Sequence, residues 1–217
     1  MISVFCRTVR QAAVLCAFVM VGGYSSLLQA QDAGSITAET QAALTATLAT
    51  PAAGAKDADV TIIEFFDYNC PFCKKTAPEL QRLLHADPKV RIVHKEWPIF
   101  GDASTYASRM ALAANWQGKY LAAHDALIAV PHDLEETSDV DSVLRGAGID
   151  MERLRRDSMQ HSAEIDAILS RSFTEAQRLG VRGTPVFVIG RQLVPRSLTL
   201  PLLRQLVANA RAAQAAL

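Results

Sequence analysis

The chain carries the stretch Cys70-Pro71-Phe72-Cys73 between an apolar run at residues 60–66 and a segment of helical character that begins at Pro71. Two thiols three positions apart at the start of a helix lie on one face, close enough to form a small disulfide ring. The start of a helix also presents N–H groups that favour negative charge, which lowers the pKa of a cysteine placed there. The stretch therefore indicates thiol–disulfide chemistry.

The composition is that of a globular protein without a strong charge bias. The chain has 217 residues, half of them hydrophobic, and its 22 Lys and Arg residues equal its 22 Asp and Glu residues in number. A single domain with a sizeable core is the simplest organisation for this length. The sequence contains no basic run and no basic stripe with aromatic residues, so nucleic acid is not expected as a partner.

Residues 1–30 have the layout of a secretory signal. Arg7 and Arg10 precede an apolar segment at residues 12–21, and small residues lead to Ala30. A membrane anchor is the alternative, but the apolar segment is shorter than the roughly 20 residues that a spanning helix needs. We therefore expect export, with cleavage near Ala30, to the periplasm or another compartment outside the cytoplasm.

Removal of this signal would change the cysteine count. Cys6 and Cys16 would leave with it, so that Cys70 and Cys73 are the two cysteines of the mature chain. Secreted domains normally use additional cysteines as structural cross-links. A lone pair at the start of a helix is instead typical of a reactive pair.

The rest of the chain divides into strand and helix patterns. Residues 31–59 are rich in Ala, Thr and Gly and are predicted to be an N-terminal segment and linker. Four apolar segments bounded by turn residues are predicted strands: 60–66, 90–96, 186–189 and 192–194, the last as a possible hairpin partner of the third. Residues of about 102–179 show helical periodicity and almost no strand signal.

This order predicts an α/β fold. Without the long helical block, the segments form a small core of helices packed on a sheet. The block at residues 102–179 is too long to be a loop and too apolar to be disordered, so it should pack on the core as an insertion.

The run from Glu64 to Pro78 resembles the thioredoxin superfamily, and most closely the secreted DsbA-type thiol:disulfide oxidoreductases. The likeness rests on a strand with one internal acid, the C-x-x-C at a helix start, a proline five positions after the second cysteine, and Gly183-Thr184-Pro185 before a late strand. It implies a thioredoxin-like core over residues 60–215, with the helical insertion between the second core strand and the cis-proline strand.

Cys70 is predicted to be the attacking nucleophile and Cys73 the less exposed, resolving thiol, which would release a mixed disulfide. The alternatives are an inert structural pair or part of a zinc site. Zinc needs two further ligands, and the five histidines of the chain are scattered without ligand spacing. No metal site is therefore expected.

Glu64 is the only acid within a strongly apolar strand. An isolated buried carboxylate is costly and tends to be protonated. The resemblance implies that it lies beneath Cys73 and moves the proton of that thiol. The alternative is a position at the sheet edge in a pair with Lys95.

Thr184 and Pro185 are predicted to form the substrate side of the site with Phe72. The resemblance implies that Pro185 is cis, faces the cysteine pair, and lies beside backbone that pairs with the substrate chain; the alternative is an ordinary loop proline. Many family members carry histidine where this chain has Phe72. We therefore expect Cys70 to be acidified mainly by the helix start, and less than in those members. Asn69 is expected to cap the helix.

The sequence thus predicts an exported enzyme that exchanges the Cys70–Cys73 disulfide with cysteines of secreted proteins. A monomeric oxidase is favoured. A disulfide isomerase or reductase of the same fold is the alternative, and threonine at the position of Thr184 is commoner among isomerase-type relatives. No cofactor is expected, because the disulfide carries the electrons, and a membrane redox partner would reset it. Two non-enzymatic alternatives are a periplasmic module that binds copper or zinc through the cysteine pair, and a binding protein whose disulfide is structural.

Overall fold

The computed structural model describes residues 34–46 and 50–216, so the predicted signal at residues 1–30 lies outside the described residues. The strands are β1 (Gly34–Ser35), β2 (Ala52–Gly54), β3 (Val60–Phe66), β4 (Val90–Glu96), β5 (Val186–Ile189) and β6 (Gln192–Val194). The helices are α1 (Ala38–Thr45), α2 (Pro71–Ala86), α3 (Asp102–Ala113), α4 (Tyr120–Ile128), α5 (Thr137–Gly146), α6 (Met151–Gln160), α7 (Ser162–Arg178) and α8 (Leu200–Ala215). None of these helices combines the length and the apolar character needed to cross a bilayer.

The strands form one mixed sheet in the order β1-β6-β5-β3-β4-β2. β3 lies in the interior, parallel to β4 and antiparallel to β5. One face packs on α2 and α8 around Ile62, and the other packs on α1 and α7 around Phe65. Coverage on both faces explains why β3 is almost continuously apolar. The four predicted strands are confirmed, including the β5–β6 hairpin.

The N-terminal segment adds two strands that the sequence did not indicate. β2, predicted to be linker, pairs antiparallel with β4, and β1 pairs antiparallel with β6. Alanine and glycine have weak strand propensity, so these strands depend on the edges that they cover. Gly54 is required here: its φ is 89°, and a Cβ would lie only 2.4 Å from the Val90 carbonyl oxygen.

Helices α3–α7 lie in the chain between β4 and β5, which confirms the predicted α/β core with a helical insertion. Their shared core includes Leu127, Leu144 and Leu154 together with the alanine-rich face of α3, and it continues directly to Cys70 and Cys73. The insertion therefore forms part of the wall around both thiols.

A buried carboxylate ties α4 of the insertion to the sheet. Oε1 of Glu96, which is 0% exposed, accepts hydrogen bonds from the hydroxyls of Tyr68 at 2.8 Å and Tyr120 at 2.7 Å. Oε2 has no hydrogen-bond partner among the described residues. The pKa of Glu96 is raised to about 8, chiefly because burial disfavours the charged form. This arrangement suits a protonated acid at neutral pH.

Replacing Glu96 with glutamine should therefore flatten the pH dependence of stability. Between pH 4.5 and about 8, the folded protein keeps a proton on Glu96 that the unfolded chain has lost. The free energy of unfolding then falls as pH rises through this window, by up to about 1.4 kcal/mol per pH unit. Denaturant unfolding of wild type and Glu96→Gln at several pH values measures the difference. Parallel curves for the two proteins would contradict a titrating Glu96.

Candidate active site

Cys70 itself caps the N-terminus of helix α2. Cys70 has an extended backbone (φ −75°, ψ 114°), and its Sγ accepts a hydrogen bond from the N–H of Cys73 at 3.4 Å. Pro71 occupies the first turn, where a missing N–H costs no helical hydrogen bond. Both thiols are free in the structure. The expectation that Asn69 caps this helix is wrong, because Cys70 takes that position.

Asn69 and Asp67 instead fix the lead-in loop to the insertion. The side chain of Asn69 donates to the carbonyl of Leu134 at 2.9 Å and accepts from its N–H at 2.8 Å. The carboxylate of Asp67, 0% exposed, accepts from Ser104 Oγ at 2.7 Å and from the N–H of Ile99 at 2.6 Å. Apart from an acid directly after a strand, no local pattern in the sequence indicates these partners. They hold Cys70 in place.

The loop before β5 lies against Cys70. The Thr184–Pro185 peptide bond is cis, as the resemblance implied, and not that of an ordinary trans loop proline. The Cys70 thiol donates to the carbonyl oxygen of Thr184 at 3.2 Å. Phe72, Thr184 and Pro185 line one cleft of about 720 Å³, and the Phe72 side chain is 60% exposed. The structure brings these three predicted residues together, while their contact with substrate stays a prediction.

The Cys70 thiol is acidic. Its pKa is lowered to about 6, first by the hydrogen bond from the Cys73 thiol, with burial acting against the shift. The backbone N–H groups of Cys73 and Phe72 lower the pKa further. Among the individual contacts the neighbouring thiol contributes most, and the predicted helix start acts through the two backbone N–H groups. The predicted comparison with histidine at position 72 stays a prediction.

The Cys73 thiol shows the opposite behaviour. Burial raises its pKa most, followed by its hydrogen bond to Cys70 and the negative charges of Glu64 and Cys70. The pair at neutral pH is thus a Cys70 thiolate beside a Cys73 thiol. Exposure separates them less than expected, because Cys70 is 1% exposed and Cys73 0%. The pKa values, rather than access, distinguish the two thiols.

Removing the Cys73 thiol should raise the pKa of Cys70. In Cys73→Ala, the thiolate loses its strongest hydrogen-bond donor, so the midpoint should move upward from about 6. Titration of thiolate absorbance near 240 nm measures it, and Cys70→Ser supplies the baseline. A midpoint equal to or below that of the reduced wild-type protein would refute the assignment of the donor.

Glu64 lies in the interior strand β3 and is 3% exposed. Its Oε2 is 3.2 Å from Nδ1 of His94, which is directly opposite in the parallel register. Lys95 pairs instead with Glu175 of α7, at 2.8 Å. The alternative of an edge carboxylate paired with Lys95 is therefore wrong in both parts. His94 is the partner of Glu64 that the sequence reasoning missed.

A second cleft, of about 310 Å³, reaches Glu64 from the side of α2 and α4. Its lining includes Glu64, His94 and His124. The centroids of the two imidazole rings are 4.2 Å apart. Nε2 of His94 has no hydrogen-bond partner among the described residues. Burial holds the pKa of His124 well below its usual value, so this ring is neutral. The cleft gives the carboxylate space for solvent on the side away from Thr184.

Across the part of the chain that the structure describes, His, Cys, Asp and Glu side chains do not form any group of three or more suited to hold a metal ion. The chemistry that the arrangement supports directly is thiol–disulfide exchange: a stabilised thiolate, a protonated second thiol, and a buried carboxylate near that thiol.

Comparisons with known proteins agree with this geometry. A family model described as the DSBA-like thioredoxin domain matches residues 61–208. A thioredoxin-like oxidoreductase from Silicibacter pomeroyi is 41% identical, with a TM-score of 0.75, over 79% of this chain and 98% of that one. The thiol-disulfide exchange protein alpha-DsbA2 from Wolbachia pipientis is 26% identical, with a TM-score of 0.73, over 79% of this chain and 91% of that one. The catalytic domain of Proteus mirabilis ScsC is 28% identical, with a TM-score of 0.71, over 81% of this chain and 96% of that one.

Curated relatives have a different overall organisation. The Na(+)/H(+) antiporter NhaA 3 of Salinispora tropica is 29% identical over 141 residues, which are 63% of this chain and 21% of the antiporter. The chain thus spans about a fifth of the length of the curated relatives that it matches first. The likeness concerns one part of those proteins.

Proposed function

The chain belongs to the DsbA-like thioredoxin domain family, and we propose that this thiol–disulfide oxidoreductase acts outside the cytoplasm as an oxidase of other exported proteins. Its Cys70–Cys73 disulfide accepts electrons from pairs of cysteines in those proteins. The proposal includes a cleaved signal at residues 1–30, a periplasmic or similar location, and a monomeric domain over residues 60–215.

The observation that carries the proposed direction is the acidity of Cys70. A thiolate that is stable near pH 6 stabilises the reduced pair, which makes the disulfide a stronger oxidant. It also makes Cys70 a good leaving group when a second substrate thiolate attacks the mixed disulfide. Oxidation of substrates follows from both properties.

Each catalytic cycle transfers two electrons from two substrate thiolates to the Cys70–Cys73 disulfide, and one proton to Cys73. A substrate thiolate attacks Sγ of Cys70, the Cys70–Cys73 bond breaks, and Cys73 leaves with the electron pair. Cys73 then takes a proton, which we assign to Glu64. A second substrate thiolate attacks the substrate sulfur of the mixed disulfide, and Cys70 leaves as the stabilised thiolate. The substrate is oxidised to a disulfide and the cysteine pair is reduced.

The remaining residues position these steps. We assign the backbone beside Thr184 and Pro185 to pairing with the substrate chain, which brings its sulfur next to Cys70. Phe72 provides an exposed apolar contact beside the same cleft. His94 holds the carboxylate of Glu64 through the 3.2 Å contact. The cycle needs no bound cofactor, but it requires a membrane redox partner that reoxidises the pair.

Two measurements together test the direction of the reaction. Equilibration of the purified protein with glutathione should give a reduction potential clearly more positive than thioredoxin's value of about −270 mV. Thiol trapping in cells should find Cys70 and Cys73 mostly oxidised. A pair that is mostly reduced in cells would reject the oxidase and favour an isomerase or reductase of the same fold.

A further inference from the structure

The cleft beside Cys70 has a strong and uniform charge. Lys75 from α2, Arg182 from the loop before Thr184, and Arg196 after β6 all line it, together with Phe72. No Asp or Glu is among its lining residues. Because the whole chain has equal numbers of acidic and basic residues, a cleft lined by three cations and no acid departs from the average surface.

These three cations are available to a ligand. Lys75, Arg182 and Arg196 are exposed, and none of them forms an ion pair or side-chain hydrogen bond with any residue that the structure describes. Other arginines have structural partners: Arg211 binds Asp59 and Asp87. The cations of the cleft therefore keep their donors free for a partner with negative charge.

The position of the cleft indicates where this negative charge would lie. A substrate sulfur must reach Sγ of Cys70, which is 3.2 Å from the Thr184 carbonyl that borders the cleft. An extended chain advances about 3.3 Å per residue, so the neighbours of the reacting cysteine lie along the cleft. Basic side chains lining a concave surface raise the encounter rate of an acidic partner.

We propose that this cleft selects extended polypeptide segments with Asp or Glu within about three residues of the reacting cysteine. The inference rests on the proposed exchange with cysteine-containing proteins and adds the chemical class of the preferred substrate. Arg182 and Arg196 are the specificity residues, and Lys75 extends the same field along α2.

Three dithiol peptides test this selection. They differ only in the residues that flank the first cysteine, which are Asp, Asn or Lys. Each peptide dithiol gives two electrons to the Cys70–Cys73 disulfide. Of its two protons, one balances the proton gained by Cys73 and the other is released to solvent, because Cys70 ends as a thiolate. The second-order rate constant is measured by quenching and separation of the products. Each rate constant is then divided by the rate constant of the same peptide with hydroxyethyl disulfide, a small neutral oxidant. This ratio removes differences in intrinsic thiol reactivity between the peptides.

The Asp peptide should react about tenfold faster than the Lys peptide at low salt, a ratio at the lower end of electrostatic rate enhancement. The ratio should shrink towards one at about 0.5 M salt, where charges are screened over a few ångströms. The double variant Arg182→Glu/Arg196→Glu should reverse the preference. Arg204→Gln, an exposed arginine of α8 outside the cleft, should keep the wild-type ratio.

The outcomes separate this inference from the proposed function. Equal corrected rates for the Asp and Lys peptides, or a preference that survives in the double variant, would overturn the charge selection alone. Failure to oxidise even the Asn peptide would overturn the proposed oxidase function, and this inference with it.

Discussion

Cys73→Ser should remain covalently attached to its substrates. The Cys70 thiolate, stable near pH 6, can still attack a substrate disulfide and release one substrate thiolate. Without the Cys73 thiol, nothing within the protein attacks the Cys70–substrate bond. Mixed disulfides should accumulate, and turnover should fall by on the order of 10³-fold or more.

Non-reducing electrophoresis of cell extracts, followed by mass spectrometry of the adducts, provides the measurement. The adducts should disappear with reductant and should contain Cys70. The matched variant Cys70→Ser should capture nothing, because the raised pKa of its remaining thiol, Cys73, keeps that thiol protonated. Adducts in Cys70→Ser but not in Cys73→Ser would reverse the roles assigned to the two thiols.

The elements that carry the two thiols could be predicted from sequence because they depend on local patterns. An apolar run and a helix start each act over a few residues, and β3 and the start of α2 were predicted correctly from them. The cis peptide bond at Pro185 was implied by the family resemblance and is confirmed. The class of the fold follows from the order of such segments.

The partner of Glu64 could not be predicted in this way. Lys95 and His94 are adjacent in β4, and only the register of the β3–β4 pair decides which of them faces Glu64. Neighbouring residues in a strand point to opposite faces, so a shift of one residue exchanges the two partners. In the structure, His94 lies beside Glu64, and Lys95 forms an ion pair with Glu175 of α7.

The buried polar contacts of the insertion were also missed, for a related reason. Glu96 ends β4 and reads as a charge next to a turn, but its partners Tyr68 and Tyr120 lie 28 and 24 residues away. Asp67 similarly accepts a hydrogen bond from Ser104, which lies 37 residues further along the chain. Which polar groups meet depends on how α3 and α4 pack against the sheet, and no local pattern contains that information.

The second large effect concerns the proton of Cys73. Glu64→Gln should slow the step in which Cys73 attacks the mixed disulfide, by about 10²-fold, the lower range for loss of a general acid–base group. Glutamine has the same shape and can still bond His94, so the fold should be retained. Formation of the mixed disulfide by Cys70 should change little, because that step requires no proton from Cys73.

The sign of this effect separates a proton relay from simple electrostatics. The negative charge of Glu64 is one cause of the raised pKa of Cys73, so Glu64→Gln should lower that pKa and ionise Cys73 more readily. If Glu64 acted only through its charge, the variant would resolve mixed disulfides faster than wild type. If the carboxylate accepts the proton, the variant is slower although its thiol is more acidic.

Rapid mixing of the reduced protein with a disulfide peptide, quenched with acid, resolves the two steps by the rise and decay of the mixed disulfide. High concentrations of a small carboxylate buffer should accelerate the decay in Glu64→Gln and not in wild type, since the cleft of about 310 Å³ admits solvent-sized molecules to this site. Glu79→Gln, which removes an acid of α2 that contacts Arg82 and the N–H of Leu200, should decay like wild type. Faster decay in Glu64→Gln, or decay insensitive to the substitution at every pH, would remove the carboxylate from the proton path and leave it a purely structural partner of His94.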